Sequence, residues 1–216
     1  MCLLSYFPQT DGPVLTSNRV ISIRRPAAES IKEYVYKGRR VAYPRDYKGG
    51  SWMAYDDHRM IFLLNGHKTN HVSRDDYVRS RGLVLLDLFA ADDVIEAWEE
   101  MELSGIEPFT IVYVTGGELY ELGWDDHEKY KTSLSTTDSH LWMSSTLYSE
   151  EDKHRIGREF RQLSAPTSAR LMDFNEENSY ARIKVPAEKI GVVETVSTYQ
   201  LFTDKKRIRH LELIHQ

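Results

Sequence analysis

The hydrophobic and polar positions of this chain follow two different periods, and its first part consists mostly of strand-like runs. Apolar and polar side chains alternate there over short stretches, as they do in half-buried strands. Turn residues separate the runs, notably Gly12-Pro13, Lys37-Gly38 and Asp56-Asp57. The pattern predicts strands within Cys2–Phe7, Val14–Ile23, Glu33–Tyr43, Trp52–Tyr55 and Met60–Asn65, with hairpins at the last two turns.

The middle of the chain changes to a helical period. Apolar residues recur every three or four positions within 83–89 and within 94–101, where Asp92 or Asp93 is the predicted N-cap. A third helix is predicted over Ser149–Leu163, with acids in its first turn. Because these helices are grouped between blocks of strands, the pattern predicts an α+β fold with antiparallel sheets. The later strands are Phe109–Val114, Leu119–Leu122, Val192–Phe202 and Ile208–Ile214, the last pair joined near Asp204-Lys205-Lys206.

Length and composition indicate one soluble domain. The chain has 216 residues, of which 41% are hydrophobic and 28% are charged, so we expect a single domain over 1–216. No apolar run reaches the roughly 18 residues of a membrane helix, and the N-terminal residues do not form a signal peptide. We expect a cytoplasmic protein without a membrane partner.

Charge and motif content exclude several classes of partner. The net charge is −5, although the first 50 residues carry nine basic and four acidic side chains. These basic residues are not interleaved with a nucleic-acid motif, so we expect no nucleic-acid partner. There is no glycine-rich phosphate loop, and the single cysteine excludes a disulfide framework and a Cys/His zinc knuckle. We therefore expect no cofactor and no metal.

Cys2 is the residue of this sequence that is best suited to act as a nucleophile. Cysteine is small enough for Met1 to be removed, which would place a thiol and a free α-amine on one residue. An α-amine titrates near about 7.7–8.0 and a thiol near about 8.5, so the amine can take the thiol proton. The resulting thiolate can attack an amide or ester carbon. If Met1 stays, this base is lost, and Cys2 is a small buried hydrophobe of the first strand.

A series of short motifs runs through nearly the whole chain. They are Met1-Cys2, Leu15–Arg19, Arg25–Ala27, Gly49–Trp52, Leu63–Gly66, Arg79–Val84, Glu107–Thr110, Glu121–Asp125 and Leu141–Ser149. In this order and spacing they resemble the NRDE family, also called transport-and-Golgi-organisation-2-like proteins. The family takes its name from an Asn-Arg-Asp-Glu motif near the N-terminus.

The resemblance implies an N-terminal-nucleophile (Ntn) hydrolase fold, distantly related to acylases that cleave penicillin V or conjugated bile acids. That fold is a four-layer αββα sandwich of two antiparallel sheets flanked by helices. The resemblance makes Cys2 the nucleophile, and Arg19 the motif's arginine, which favours the thiolate or holds a substrate anion. Asn65 is an oxyanion donor or a turn residue. The predicted catalytic residues are Cys2, Arg19 and Asn65.

Four further residues are predicted to bind substrate. Asn18 matches the motif's asparagine, and Ser145 stands where family members often carry asparagine. His67 is a loop histidine that would line a pocket near Asn65. Trp52 follows two glycines and is either a ligand platform or a core residue. The clusters Asp56–His58 and Asp125–His127, in contrast, are interpreted as polar turns rather than metal sites.

The chain departs from the motif at positions that bear on activity. Val20 and Ile21 replace the motif's Asp and Glu, and in the related acylases a nearby aspartate orients the nucleophile. Val196 stands where a C-terminal pattern often carries arginine.

Two functions therefore stay open. The first is an Ntn-type cysteine amidohydrolase that cleaves a non-peptide C–N amide bond of a small molecule through an acyl-enzyme. The alternative is a catalytically impaired protein of the same fold that binds a small metabolite or lipid-like ligand. The three predicted catalytic residues favour the enzyme, whereas Val20, Ser145 and Val196 favour the binding protein.

Overall fold

The computed structural model describes residues 3–179, 183–184, 192–204 and 207–215. They form two compact units, one from residues 1–25 and 136–216 and the other from residues 26–135. Cys2 and the predicted turn at Lys205-Lys206 lie outside the described residues. Among those that are described, no helix is long and apolar enough to cross a membrane.

The described part of the chain contains thirteen strands and four α-helices. The elements of the first half are β1 (Leu3–Phe7), β2 (Val14–Ser22), β3 (Lys32–Tyr36), β4 (Arg39–Tyr43), β5 (Met53–Tyr55), β6 (Arg59–Asn65), α1 (Arg81–Ala90) and α2 (Val94–Glu100). Those of the second half are β7 (Phe109–Thr115), β8 (Glu118–Trp124), β9 (Lys129–Leu134), β10 (His140–Met143), α3 (Glu150–Arg161), α4 (Ser168–Glu177), β11 (Ile183–Lys184), β12 (Val192–Asp204) and β13 (Arg207–Ile214).

The strands make two antiparallel sheets. In the first unit the order is β10-β1-β2-β12, and both β11 and β13 pair with β12. In the second unit the order is β3-β4-β5-β6-β7-β8-β9. Strands that are consecutive in the chain mostly pair with each other, whereas β2 and β12 come together across most of the sequence.

Two-residue turns fix the register of hairpins in the second unit. Lys37-Gly38 joins β3 to β4, and its φ angles are 49° and 83°. Gly116-Gly117 joins β7 to β8 with φ angles of 50° and 88°. Positive φ at both central residues is the type I′ geometry, whose twist matches the flanking strands. The strands predicted on both sides of these turns are confirmed.

The two Asp-Asp-His clusters are turns held by a carboxylate. Asp56 Oδ1 accepts hydrogen bonds from the backbone N–H groups two and three residues further on, at 2.9 and 2.8 Å. Asp125 Oδ1 does the same at 2.9 and 2.8 Å. Such Asx turns satisfy backbone donors at a chain reversal. The prediction that both clusters are polar turns is confirmed, between β5 and β6 and between β8 and β9.

The helices of the second unit cover one face of its sheet. The strand residues on this face are Ile61, Leu63, Phe109, Ile111, Leu122 and Trp124. Phe89 of α1 and Trp98 of α2 pack against them, and the Trp98 ring meets the Phe109 ring edge-on with centroids 5.9 Å apart. Burying each such large side chain stabilises the unit by about 1.5–3 kcal/mol.

Side-chain caps begin two of the helices at predicted residues. Asp93 accepts hydrogen bonds from the backbone N–H groups of Ile95 and Glu96 and begins α2. Ser149 accepts one from Asp152, at 3.1 Å, and begins α3. Each cap accepts from backbone N–H groups that have no partner inside the helix. Such a cap stabilises the protein by about 1 kcal/mol.

The prediction missed β9, β10 and α4. Strand β9 is largely exposed and polar, so it lacks the alternation that marks a half-buried strand. Strand β10 has four residues, too few to show a period. Helix α4 buries Asn175 among its apolar residues, and this polar side chain interrupts the hydrophobic stripe on which a helix prediction depends.

Asn175 is the centre of a buried polar network that fastens α4 to the first sheet. Its Nδ2 donates to the Thr16 carbonyl at 2.9 Å and to Asn18 Oδ1 at 3.1 Å. Its Oδ1 accepts from Ser5 Oγ at 2.9 Å, and its carbonyl accepts from Asn18 Nδ2 at 2.7 Å. Gln200 extends the network by donating to Thr16 Oγ1 at 2.9 Å. Because an unpaired buried polar group lowers the free energy of unfolding, this fully hydrogen-bonded network favours a single position of α4 on the sheet.

We expect Asn175→Ala to lower the free energy of unfolding by about 3 kcal/mol, because it leaves buried groups of β1 and β2 without partners. Urea denaturation followed by circular dichroism measures the loss. Asn70→Ala, at an exposed loop position, is the control and should change the same quantity by less than about 0.5 kcal/mol. Equal effects of the two variants would show that the network does not stabilise the unit.

Candidate functional site

The N-terminal end of β1 is flanked by predicted site residues on both sides. Leu3, the first described residue, pairs with Asn18 of β2 and with Met143 of β10. Arg19 follows Asn18 directly, and Ser144-Ser145 follow Met143. Cys2 precedes Leu3 in the sequence and lies outside the described residues. The sheet thus brings Asn18, Arg19 and Ser145 alongside the same strand end.

Asn18 and Arg19 lie on opposite faces of the sheet, because side chains alternate along a strand. Asn18 is fully buried on the face that α4 covers, and both ends of its amide bond with Asn175. Arg19 is on the other face and only 4% exposed. The substrate-binding role of Asn18 stays a prediction, and in this structure its amide fastens α4.

A β-bulge in β12 lies directly opposite Arg19. Thr195 pairs with Val20 and Ser197 pairs with Arg19, so Val196 is the extra residue. The carbonyl of Val196 accepts a hydrogen bond from the backbone N–H of His215 at 3.0 Å. Bulges are enriched next to functional sites, where they redirect neighbouring side chains. The C-terminal segment around Val196 therefore lies beside Arg19 in the sheet.

A buried tyrosine lies on the same face as Arg19. Tyr199 is 2% exposed, and its hydroxyl donates to Glu212 Oε1 of β13 at 2.7 Å. Burial raises the pKa of Tyr199, and Glu212 raises it further, while the Ser197 hydroxyl and the positive charge of Arg19 act in the opposite direction. Sequence reasoning missed Tyr199 and Glu212, because only the register of β12 and β13 brings them to this face.

Ser145 belongs to a tight turn after β10. The Ser144 carbonyl accepts hydrogen bonds from the N–H groups of Leu147 and Tyr148, both at 3.3 Å. The hydroxyls of Ser144 and Thr146 are 2.9 Å apart. Both serines are buried, with exposed fractions of 1% and 7%. This turn holds two hydroxyl-bearing residues beside the N-terminal end of β1.

Asn65 and His67 follow one another at the end of β6 in the second unit. Asn65 is the last residue of the strand and pairs with Phe109. Gly66, with φ of 75°, then redirects the chain, and its N–H donates to the Pro108 carbonyl at 2.9 Å. The oxyanion role of Asn65 stays a prediction from the sequence. The position of Asn65 at the end of a strand is neither evidence for this role nor evidence against it.

The hydrogen bonds of Thr110 define the tautomer of His67. The Thr110 hydroxyl donates its only proton to the Gly66 carbonyl at 3.0 Å. Its oxygen therefore accepts from His67 Nδ1, 3.1 Å away, and Nε2 holds the lone pair. Burial lowers the pKa of His67, so the ring is neutral at pH 7. Nε2 is buried and has no hydrogen-bond partner among the described residues.

Gly123 explains why the His67 ring can lie against β8. A Cβ atom at Gly123 would be 2.1 Å from His67 Cε1, far inside contact distance. The ring stacks on Tyr130 of β9 with centroids 4.9 Å apart, and Lys68 Nζ lies 3.7 Å from the centroid of the same tyrosine. Glycine within the Glu121–Asp125 motif is thus a packing requirement of His67.

Trp52 is a buried residue directly before β5. It is 6% exposed, and its carbonyl accepts from the N–H of Leu63 at 2.8 Å. Trp52 thus occupies a core position, and its role as a ligand platform stays a prediction.

A charged cluster that sequence reasoning missed joins the loop after β6 to the start of α1. Glu107 binds His71 Nε2 at 3.2 Å and Arg81 Nη2 at 2.9 Å, and is 21% exposed. Burial tends to raise the pKa of Glu107, but the His71 hydrogen bond and the Arg81 charge outweigh it and hold the pKa below its ordinary value. Arg81 and Glu107 both stand in motifs singled out above, although no sequence signal pairs them. Within the described residues, no group of three His, Cys, Asp or Glu side chains is arranged to hold a metal.

Solved structures of two hydrolases are among those similar to this chain. The C2A mutant of conjugated bile acid hydrolase from Clostridium perfringens aligns with a TM-score of 0.53 and 9% identity, over 99% of this chain and 92% of that chain. Penicillin V acylase from Agrobacterium tumefaciens aligns with a TM-score of 0.48 and 6% identity, over 99% and 86%. No protein-family model and no curated protein sequence matches. The first comparison confirms the predicted fold class, an α+β fold of two antiparallel sheets with helices like that of the Ntn hydrolases.

We expect Gly123→Ala to lower the free energy of unfolding by about 1–3 kcal/mol, because the new methyl group displaces the His67 ring. In a His67→Ala background the same change should cost less than half as much, since the obstructing ring is gone. Urea denaturation of the wild type, the two single variants and the double variant measures this difference. Gly157→Ala in α3, whose Cβ would be 3.5 Å from its nearest neighbour, is the control and should stabilise by up to about 1 kcal/mol. Additive effects of the two changes would contradict the packing argument.

We expect Glu107→Gln to make the unfolding free energy less dependent on pH. A carboxyl whose pKa is lowered in the folded state contributes stability above its unfolded pKa, about 4.3, and loses it as the pH falls further. The variant should therefore be less stable than the wild type at pH 7, and the gap should narrow below pH ~4.3. Urea denaturation between pH 3 and 7 tests this, and parallel curves would show that the cluster does not depend on the carboxylate charge.

Proposed function

We propose that this chain is an amidohydrolase of the N-terminal-nucleophile type that cleaves a non-peptide C–N amide bond of a small molecule. The observation that carries the proposal is the register at the N-terminal end of β1. It brings Arg19 to one side of this strand end and Ser144-Ser145 to the other. The similarity in fold to conjugated bile acid hydrolase supports the same proposal.

In the proposed reaction, removal of Met1 leaves the α-amine of Cys2 as the general base. The amine takes the thiol proton, and the thiolate attacks the amide carbon to form a tetrahedral oxyanion. The α-ammonium then gives its proton to the departing nitrogen, which leaves as an amine when the C–N bond breaks. Water attacks the remaining thioester, the α-amine accepts its proton, and the carboxylic acid product leaves with the thiol restored.

The proposal gives Arg19 an electrostatic role. A buried guanidinium favours a nearby anion, whether this is the thiolate or a carboxylate of the substrate. Asn65 is the proposed oxyanion donor on the strength of the sequence resemblance, and such donors contribute about 2.7–4 kcal/mol in enzymes where they have been removed. Asn18, Trp52, His67 and Ser145 stay the proposed substrate-binding residues.

A specific observation favours the alternative of a binding protein. Val20 and Ile21, where the motif has acids, are buried apolar residues with exposed fractions of 7% and 9%. Neither can orient an amine or a thiol. If no other carboxylate replaces them, the same fold would hold a small metabolite or lipid-like ligand without turning it over.

We expect intact protein from cells to lack Met1 and to react rapidly with iodoacetamide at neutral pH. Cys2 is the only thiol, so the mass gain reports on this residue alone. Protein made while the methionine aminopeptidase is inhibited is the matched control, because it has the same thiol without the free amine. It should react at least about tenfold more slowly, since the general base is lost.

A panel of N-acyl amides, assayed for released amine, then tests turnover by wild type and by Cys2→Ala. The proposal requires a substrate that the wild type cleaves and Cys2→Ala does not. Ligand binding that survives in Cys2→Ala, with no cleavage of any amide by the wild type, would establish the binding protein instead.

A further inference from the structure

Arg19 carries a positive charge at a buried position, and a buried charge requires a counter-charge or a dense set of hydrogen bonds. The residues that follow it on β2 are Val20 and Ile21, so the strand itself offers no carboxylate. A carboxylate on a neighbouring strand can supply the counter-charge.

The register of the sheet places a carboxylate two strands away on the same face. Tyr199 of β12 pairs with Ser17 of β2, which shares a face with Arg19. On its other side Tyr199 pairs with Glu212 of β13, and its hydroxyl donates to this carboxylate at 2.7 Å. Because the phenol gives its proton to Glu212, its oxygen keeps lone pairs that accept from a cation. Arg19 itself pairs with Ser197, two residues before Tyr199, and is therefore the diagonal neighbour of Tyr199 on the same face. Arg19, Tyr199 and Glu212 thus form an oblique row across three strands.

The electrostatics of Tyr199 agree with this row. Beyond the effect of burial, the Glu212 charge raises the pKa of the phenol and the Arg19 charge lowers it, so both charges act on one hydroxyl. The other titratable side chains on this face of β12, β13 and β10 are Glu194, His210 and His140, and they are placed there by pairing with Ile21, Leu201 and Tyr6. Among these groups, Glu212 is the acid whose hydrogen bond to Tyr199 links it to a side chain that responds to the Arg19 charge.

We propose that Tyr199 and Glu212 are positioning residues for Arg19, with Glu212 balancing its charge through the Tyr199 hydroxyl. The inference rests on the proposed function in one respect, namely that Arg19 acts on the thiol of Cys2. On this basis a carboxylate on β13 supplies the negative charge that the acids of the sequence motif would supply from β2. The balance of charge at the nucleophile then depends on a residue of the C-terminal hairpin.

The chain supplies a matched control on the other face of the same strand. Thr198, the residue before Tyr199, donates its hydroxyl to Glu176 of α4, and His215 Nε2 lies 3.2 Å from both groups. This pair is also a hydroxyl held by a carboxylate, but it faces α4 rather than Arg19. Glu176→Gln therefore removes an equivalent charge from the wrong side of the sheet.

The first experiment measures the rate of Cys2 alkylation by iodoacetamide against pH in wild type, Glu212→Gln, Glu176→Gln and Glu194→Gln. Removal of the Glu212 charge takes away one negative charge that balances Arg19 and so favours the thiolate, and we expect the midpoint of the profile to fall by about half a pH unit or more. Glu176→Gln should match the wild type. A merely structural role of Glu212 would change stability and leave the midpoint in place.

A shift in Glu194→Gln and none in Glu212→Gln would overturn the inference and assign the counter-charge to Glu194. Wild-type profiles for all three variants would overturn it as well. Circular dichroism confirms that each isosteric variant is folded before its profile is compared.

The second experiment does not depend on a reactive thiol. A double-mutant cycle of Arg19→Met with Glu212→Gln, measured by urea unfolding, should show coupling of about fivefold or more in the unfolding constant. The coupling should shrink toward unity in a Tyr199→Phe background, because the bridging hydroxyl is gone. If Arg19→Met does not fold, Arg19→Gln, which also removes the charge, takes its place.

The two experiments separate the two failures. A wild-type thiol that is inert at every pH, together with strong coupling in the cycle, would refute the proposed function and retain the pairing of Arg19 with Glu212. A reactive thiol whose profile ignores Glu212, together with coupling below twofold, would refute the positioning role and retain the hydrolase.

Discussion

The alternation of side chains along β2 is the constraint on which the first unit depends. Asn18 points to α4 and completes the Asn175 network, while Arg19, the next residue, points to the opposite face. A slip of one residue would exchange these environments, placing a guanidinium under the helix and an amide in the candidate site. The hydrogen bonds of Asn175 oppose that slip. The residue that fastens the helix therefore also fixes the face on which the arginine acts.

Local signals predicted the parts of the fold that short stretches of sequence determine. Lys37-Gly38 dictates its turn because both positions need positive φ, and Asp93 and Ser149 begin helices because their side chains satisfy free backbone donors. Helix α4 was missed because Asn175 is polar in sequence, and it becomes a core residue only through partners on β1 and β2. A one-dimensional pattern holds no record of such partners.

The same distinction between local and long-range determinants applies to the candidate site. The motif around Arg19 was recognisable in the sequence, but its surroundings depend on pairing between β2 and β12, about 180 positions apart. The Val196 bulge, Tyr199 and Glu212 reach this face only through that long-range register. Likewise, the lone pair on His67 Nε2 follows from a Thr110 hydroxyl committed to the Gly66 carbonyl, a fact of geometry rather than of motif.

The loss of the motif acids at Val20 and Ile21 is a weaker argument against catalysis than the sequence alone suggests. A guanidinium responds to the position of a negative charge and not to the strand that carries it, and cross-strand neighbours lie as close as residues two apart on one strand. An acid on β13 can therefore replace an acid on β2 when a polar side chain bridges the strand between them. The substitution also has a structural consequence. The apolar side chains of Val20 and Ile21 occupy buried positions at which charged side chains would need partners. Val20 is part of the core cluster that includes residues of α3 and α4. On the opposite face, which carries Arg19, the negative charges lie on residues of the C-terminal hairpin.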